Sequence, residues 1–127
     1  MKIFIADDSG LLRQRIKRFI SRLPDVRVCG EAGRISEAVN LIRQLAPEVI
    51  ILDIQFPDGL GFEIYDRVIS ECYQPVTIIL TNYPTKQYQR MCRDRNIPYF
   101  FDKTTDFEKI NQVILTLAAK DQQAQEI

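Results

Sequence analysis

Five side chains in this sequence have the types and the spacing for shared chemistry. Asp7 and Asp8 follow the apolar run at residues 2–6, Asp53 ends the run at 49–52, Thr81 follows 76–80, and Lys103 stands two residues beyond the run at 98–101. Three carboxylates brought together repel one another and demand a cation, and an all-oxygen donor set selects a hard ion such as Mg²⁺, which keeps several of its waters. Beside such an ion a carboxylate stays ionised and can act as a nucleophile toward phosphorus. Phosphoryl transfer then needs charge neutralised around three equatorial oxygens. The ion, the Lys103 ammonium, and the Thr81 hydroxyl with backbone donors would supply that. Singly, none of these residues carries the reading. An Asp after a strand ordinarily starts a turn or caps the next helix, and a lone Thr or Lys says less still.

Their joint placement depends on the elements that precede them. The run V-I-I-L before Asp53 lacks period-two alternation, as a strand buried on both faces does, and such strands belong to parallel sheets covered by helices. Between the apolar runs lie helical patterns. Ser9 stands as a cap ahead of Leu11, Leu12, Ile16, Phe19, Ile20 and Leu23, with Pro24 closing that helix. A short strand at 26–29 follows, with Gly30 beginning its exit. A second helix from Ser36 carries Ala38, Val39, Ile42 and Leu45, a third spans 60–69, and a fourth spans 85–95 with Pro84 at its start. A fifth, capped by Thr105 or Asp106, carries Phe107, Ile110, Val113, Ile114 and Leu117, and from Lys120 onward the chain has no apolar face and is expected to fray. Five strands alternating with five helices predict an α/β fold: a three-layer αβα sandwich around a doubly wound, five-stranded parallel sheet. In such a sheet all five chemical residues share the carboxyl edge, where ligands bind. Periodicity leaves the strand order open.

Composition narrows the classes. At 127 residues the chain is long enough for one core and too short for two ordinary domains. Seventeen basic residues balance seventeen acidic ones, which gives no support to nucleic acid as a direct partner. Cys29, Cys72 and Cys92 are widely spaced and odd in number and there is no histidine, which excludes the common zinc patterns, argues against a disulfide scaffold and points to a reducing compartment. With no apolar run near membrane-span length and no signal-peptide pattern, the expected location is the cytoplasm, without a membrane role.

The ordered motifs D-D at 7–8, L-D-I-x-x-P-D-G around Asp53, I-I-L-T ending at Thr81 and F-D-K ending at Lys103 resemble the receiver domain of two-component response regulators, of the stand-alone type, along essentially the whole chain. The resemblance implies a flavodoxin-like sheet in the order 2-1-3-4-5, a receiver domain over 1–120, and a polar tail at 121–127. It implies that Asp53 is phosphorylated by a histidine kinase or a phosphotransfer protein, with small phosphodonors able to substitute. It also implies Mg²⁺-dependent self-phosphorylation and a weak autophosphatase activity rather than a conventional enzyme. By position, Asp7, Asp8, Asp53 and the backbone carbonyl of Gln55 would hold Mg²⁺, Thr81 and Lys103 would contact the phosphoryl group, and Phe100 would be the switch aromatic. The sequence departs from the family at three places. Asn82 replaces a small residue and would narrow access to Asp53 or add a phosphate donor. Thr104 stands where a proline after a cis bond is usual, which predicts a trans bond. Phe100 lacks a hydroxyl and reads equally as a core aromatic. The alternatives are a phosphorylation-independent interaction module, the receiver piece of a longer transcriptional regulator, or a flavodoxin-like cofactor domain. The last would need a Ser/Thr/Gly-rich loop where Asp7 and Asp8 stand.

The segment 85–95 is polar and basic, with only Tyr88, Met91 and Cys92 to bury, which makes its helix the least firmly held. Lys86, Arg90, Arg93 and Arg95 read as a solvated face or, with Tyr88, as a surface for a downstream protein or a second copy of the chain. The cysteines read as small core or half-buried residues.

Overall fold

The computed structural model describes residues 1–126, with side chains described as far as Asp121. In chain order the elements are β1 (Lys2–Ala6), α1 (Gly10–Ile20), β2 (Arg27–Ala32), α2 (Ile35–Leu45), β3 (Val49–Asp53), the short β4 (Gln55–Phe56) and β5 (Gly59–Leu60), α3 (Phe62–Val68), β6 (Val76–Thr81), α4 (Lys86–Asp94), β7 (Tyr99–Asp102) and α5 (Phe107–Glu126). Five strands form one parallel sheet in the order β2-β1-β3-β6-β7. With the small β4–β5 hairpin set apart, this is the 2-1-3-4-5 order and the flavodoxin-like architecture that the motifs implied.

The sheet separates two cores. Ile3, Ile5, Ile51, Ile78 and Leu80 face α1 and α5, while Phe4, Ile50, Leu52 and Ile79 face α2, α3 and α4. Every residue of β3 is buried, which is why its sequence does not alternate. Register then determines the site. Ala6 pairs with Leu52, Asp53 with Leu80, and Thr81 with Asp102, so Asp7, Asp53, Thr81 and Lys103 fall on neighbouring positions along one edge.

Several local expectations are corrected. Leu60 was expected in the third helix but belongs to the antiparallel hairpin, where it is 40% exposed, and α3 begins at Phe62. The hairpin forms because Gly61 returns directly beneath Asp53: a Cβ there would lie 1.9 Å from the Asp53 carbonyl oxygen, so only glycine fits. Asp58 accepts the Ile35 N–H at 3.1 Å and so caps α2, whose N-cap residue Arg34 provides no side-chain cap. The second strand runs through Gly30 to Ala32 instead of ending there. A register shift beside Phe4 accommodates it, and a Cβ on Gly30 would meet Leu45 at 2.8 Å and Phe4 at 3.0 Å. Leu11, assigned to the apolar stripe of α1, is 77% exposed, whereas Leu12, Ile16 and Ile20 are buried. Thr85 caps α4, so Pro84 lies outside it, and α5 continues through Glu126 as helical backbone instead of ending near Lys120. The described residues contain no cis peptide bond, so Lys103–Thr104 is trans as expected. No described helix is long and apolar enough to cross a membrane.

Candidate functional site

The five residues singled out first converge at the carboxyl edge. Asp7, Asp53 and Thr81 are buried, and Lys103 exposes only 9% of its side chain. Lys103 Nζ lies between the two buried acids, 2.7 Å from Asp7 Oδ2 and 3.0 Å from Asp53 Oδ2. Asp7 Oδ2 has no hydrogen bond of good geometry among the described residues, so its contact with the ammonium is a charge contact and leaves acceptor capacity unused. The remaining carboxylate oxygens are held by backbone. Ser9 N–H donates to Asp7 Oδ1 at 2.8 Å, and Ile54 N–H donates to Asp53 Oδ1 at 2.8 Å. Ser9 also caps α1, as its position predicted, by accepting from the Leu12 N–H.

Lys103 owes its placement to two local devices. Its own N–H donates to the Thr81 carbonyl at 2.9 Å, which ties the end of β7 to the end of β6. Asp102 then accepts from both the N–H and the hydroxyl of Thr104, fixing the turn that follows. Thr81 Oγ1 accepts from the Tyr83 N–H at 3.0 Å, orienting the hydroxyl toward the cleft between the strand ends. That cleft, about 280 Å³, is lined by Asp8, Asp53, Gln55, Thr81, Asn82 and Lys103, together with Ser9 and Tyr83. Asn82 and Tyr83 are exposed on its rim.

The site carries excess negative charge. Burial pushes the Asp53 carboxyl up to about 7, with the Asp7 charge acting in the same direction and Lys103 opposing both. Burial also raises Asp7, against its contacts with Lys103 and Ser9. For Lys103, burial opposes the ammonium, but Asp7 and Asp53 outweigh it and its pKa is raised. One cation thus serves two buried acids with a third, Asp8, exposed beside them. Oxygens of Asp7, Asp8 and Asp53 all lie within 4.8 Å of one another, and with the spare capacity of Asp7 Oδ2 this acidic, all-oxygen set fits a hard divalent cation.

In the metal-free protein, stability depends on pH through Asp53. Because the folded pKa of Asp53 is raised from 3.8 to about 7, the folded state binds the extra proton between those values. Stability therefore falls as pH rises from about 4 to about 7 and levels off above. Asp53→Asn removes this loss, so thermal unfolding should show the variant gaining on the parent across that window, by about 2 to 4 kcal/mol at its upper end.

Of the remaining expected residues, Gln55 lines the cleft and also reaches α4, its side-chain amide donating to the Tyr88 hydroxyl at 3.3 Å. Phe100 is half-buried and packs with Tyr88 and Met91 against the core on the α4 side. Lys86, Arg90 and Arg93 are exposed along α4. Arg95 is not part of that surface: it pairs with Asp66 at 2.8 Å and stacks over Phe62, joining α4 to α3. Sequence reasoning missed Asp58, Tyr83 and Arg13, whose guanidinium donates to the main-chain oxygen of Asp7. No local signal ties Asp58 to the distant start of α2, and Arg13 is one of several basic residues in α1 with nothing local to distinguish it.

The model of the response regulator receiver domain matches residues 3–115. Among curated relatives, the chain is 30% identical over 114 residues to the sensory transduction protein LytT of Bacillus cereus, a match covering 90% of this chain and 46% of that one. The chain spans less than half the length of the curated relatives it matches. The response regulator domain of Thermotoga maritima CheB superposes with a TM-score of 0.76 at 25% identity, over 100% of this chain and 97% of that one. The CheX–CheY–beryllofluoride–Mg²⁺ complex of Borrelia burgdorferi shares the fold, with a TM-score of 0.80 at 18% identity over 92% and 88% of the two chains. A sheet order, an edge and a set of motifs that each pointed the same way thus meet a family match along nearly the whole sequence, and the chain belongs to the receiver domains of two-component response regulators.

Proposed function

We propose that this chain is a Mg²⁺-dependent phosphoacceptor switch, phosphorylated on Asp53 by a histidine kinase or phosphotransfer protein in the cytoplasm and acting through protein contacts. The observation that carries the reading is the position of Lys103, within 3.0 Å of both Asp7 and Asp53 at the mouth of a cleft that also holds the Thr81 side chain. Asp7, Asp8, Asp53 and the Gln55 carbonyl would hold the ion, which when bound offsets the carboxylate charge and the charge of the incoming phosphoryl group. An Asp53 oxygen forms the new bond to phosphorus as the bond to the donor, nitrogen of a histidine or oxygen of a small acyl phosphate, breaks on the opposite side. The Lys103 ammonium, in charge contact with the two carboxylates, then turns to the phosphoryl oxygens, and the Thr81 hydroxyl and Asn82 supply further donors. Water reaching the open cleft would remove the group slowly.

Output is proposed to run through α4. That helix buries only Cys92 fully, with Tyr88 and Met91 half-buried, so it is the cheapest element to shift. Drawing Thr81 and Lys103 inward moves the loops that precede α4 and follow β7, and Phe100 can repack beneath them. A difference of a few kcal/mol in phosphoryl contacts, on the order of 3 to 5, suffices to make a minor arrangement dominant. The exposed side chains of Lys86, Arg90 and Arg93, with Tyr88 at their edge, would present the changed surface to a downstream protein or a second copy. With balanced overall charge, nucleic acid is not the proposed direct partner. The beryllofluoride and Mg²⁺ in the structurally similar CheY complex support the choice of probe. Backbone amide mapping with and without beryllofluoride and Mg²⁺ should show large changes from Thr81 through Arg95 and around Phe100. Changes confined to the neighbours of Asp7, Asp8 and Asp53 would overturn the switch.

A further inference from the structure

Asp7 and Asp8 flank a single peptide unit, and its carbonyl is held from α1. Arg13 Nη1 donates to the Asp7 main-chain oxygen at 2.6 Å, while its Nε donates to Glu31 Oε1 at 2.9 Å. The other Glu31 oxygen lies 2.6 Å from Lys17 Nζ. On the opposite side of the same residue, the Asp7 N–H donates to the Ala32 carbonyl at 3.0 Å. Gly33 leaves the space that the guanidinium uses, since a Cβ there would stand 3.2 Å from Arg13 Nη1 and 3.8 Å from the Asp8 Cα.

We propose that Arg13 is a positioning residue for the cation and phosphoacceptor site, acting through the main-chain carbonyl between its two acids. The inference rests on the phosphoacceptor reading above. The plane of the Asp7–Asp8 peptide sets the directions of both Cα–Cβ bonds, so a charge-assisted bond to its oxygen orients two donors at once. Without it Asp7 retains Lys103 and Ser9, but Asp8, exposed and at the start of the turn into α1, would follow the peptide as it rotates. The guanidinium meets the carbonyl and Glu31 through two separate nitrogens in a fixed planar fork, a directed spacing that one ammonium nitrogen does not reproduce. Glu31 also offsets the Arg13 charge, which would otherwise repel a divalent cation a short distance away.

The test uses the full chain. Mg²⁺ affinity is measured by titration calorimetry for the parent, Arg13→Ala and Arg13→Lys, and amide spectra are recorded without metal. Removing an outer partner of a metal site typically costs about 10- to 100-fold in affinity, so Arg13→Ala should bind Mg²⁺ at least about tenfold more weakly, Arg13→Lys should fall between, and the metal-free signals of Asp8 and Ser9 should move. Arg13→Ala that melts lower yet binds Mg²⁺ like the parent would reduce Arg13 to a staple between α1 and β2 and overturn the proposal. Should Arg13→Ala not fold, Arg13→Lys decides: binding equal to the parent's overturns the proposal, weaker binding supports it. A parent that takes up no Mg²⁺ defeats the phosphoacceptor reading instead. The positioning role is then read in the metal-free spectra, where unmoved Asp8 and Ser9 signals in Arg13→Ala overturn it and displaced ones support it.

Discussion

Incubated with acetyl phosphate and Mg²⁺, the protein should gain the mass of one phosphoryl group, and Asp53→Asn should gain none. The effect is expected to be complete because, of the three acids, Asp53 alone both lines the cleft and contacts Lys103. Asp53 Oδ2 lies at the cleft beside Lys103, whereas Asp7 is more deeply buried and does not line the cleft. Asp8 lines it, but Lys103 contacts Asp7 and Asp53, so a phosphoryl group on Asp8 would lack the ammonium that neutralises it. The amide that replaces the carboxylate keeps the oxygen that accepts from Ile54 N–H and cannot attack phosphorus. Intact mass spectrometry checks the result. A gain in the variant equal to the parent's, or none in the parent, would remove Asp53 from the role.

The second large effect concerns the ion. In Asp8→Ala, Mg²⁺ affinity measured by titration calorimetry should fall by more than about tenfold, because the carboxylate oxygen proposed to bind the ion would be replaced by water and one unit of charge leaves the site. Asp8 is the informative position. Asp7 and Asp53 each hold Lys103, so removing either also redistributes the ammonium toward the survivor, while Asp8 is exposed and its loss leaves that pairing intact. The same substitution should raise metal-free stability slightly, since it relieves repulsion among three carboxylates whose oxygens lie within 4.8 Å. Together these outcomes separate a cation site from a merely acidic edge: the variant becomes a more stable fold and a poorer binder. Asp8→Ala binding Mg²⁺ as the parent does would exclude Asp8 as a ligand.

Much of this molecule was legible because its site lies at the ends of strands. The apolar runs before Asp7, Asp53, Thr81 and Lys103 are local signals, and a parallel sheet with helical crossovers is the arrangement that buries a non-alternating run such as V-I-I-L on both faces. The spacing of Leu12, Ile16 and Ile20, and of Ala38, Val39 and Ile42, likewise follows from helical period and needs no partner to be read. What periodicity misjudged were residues with local character of one kind and tertiary surroundings of another. Leu11 has the spacing of a core residue but lies on the far side of α1. Leu60 is a good helix former that the antiparallel hairpin takes for itself, because Gly61 must pass within contact of the Asp53 carbonyl.

The sequence alone therefore determined the element types, the parallel sheet and the identity of the acids, the hydroxyl and the lysine, since each rests on residues within a few positions of one another. Only the tertiary structure decided the register that aligns Ala6 with Leu52 and Thr81 with Asp102, the sharing of one ammonium between Asp7 and Asp53, the cap that Asp58 lends to α2, and the reach of Arg13 to the Asp7 carbonyl. The physical reason is the same in each case. A hydrogen bond or a charge contact is made between atoms a few ångströms apart, and which distant residues reach that separation is set by how helices and strands pack, not by what stands next to them in the chain.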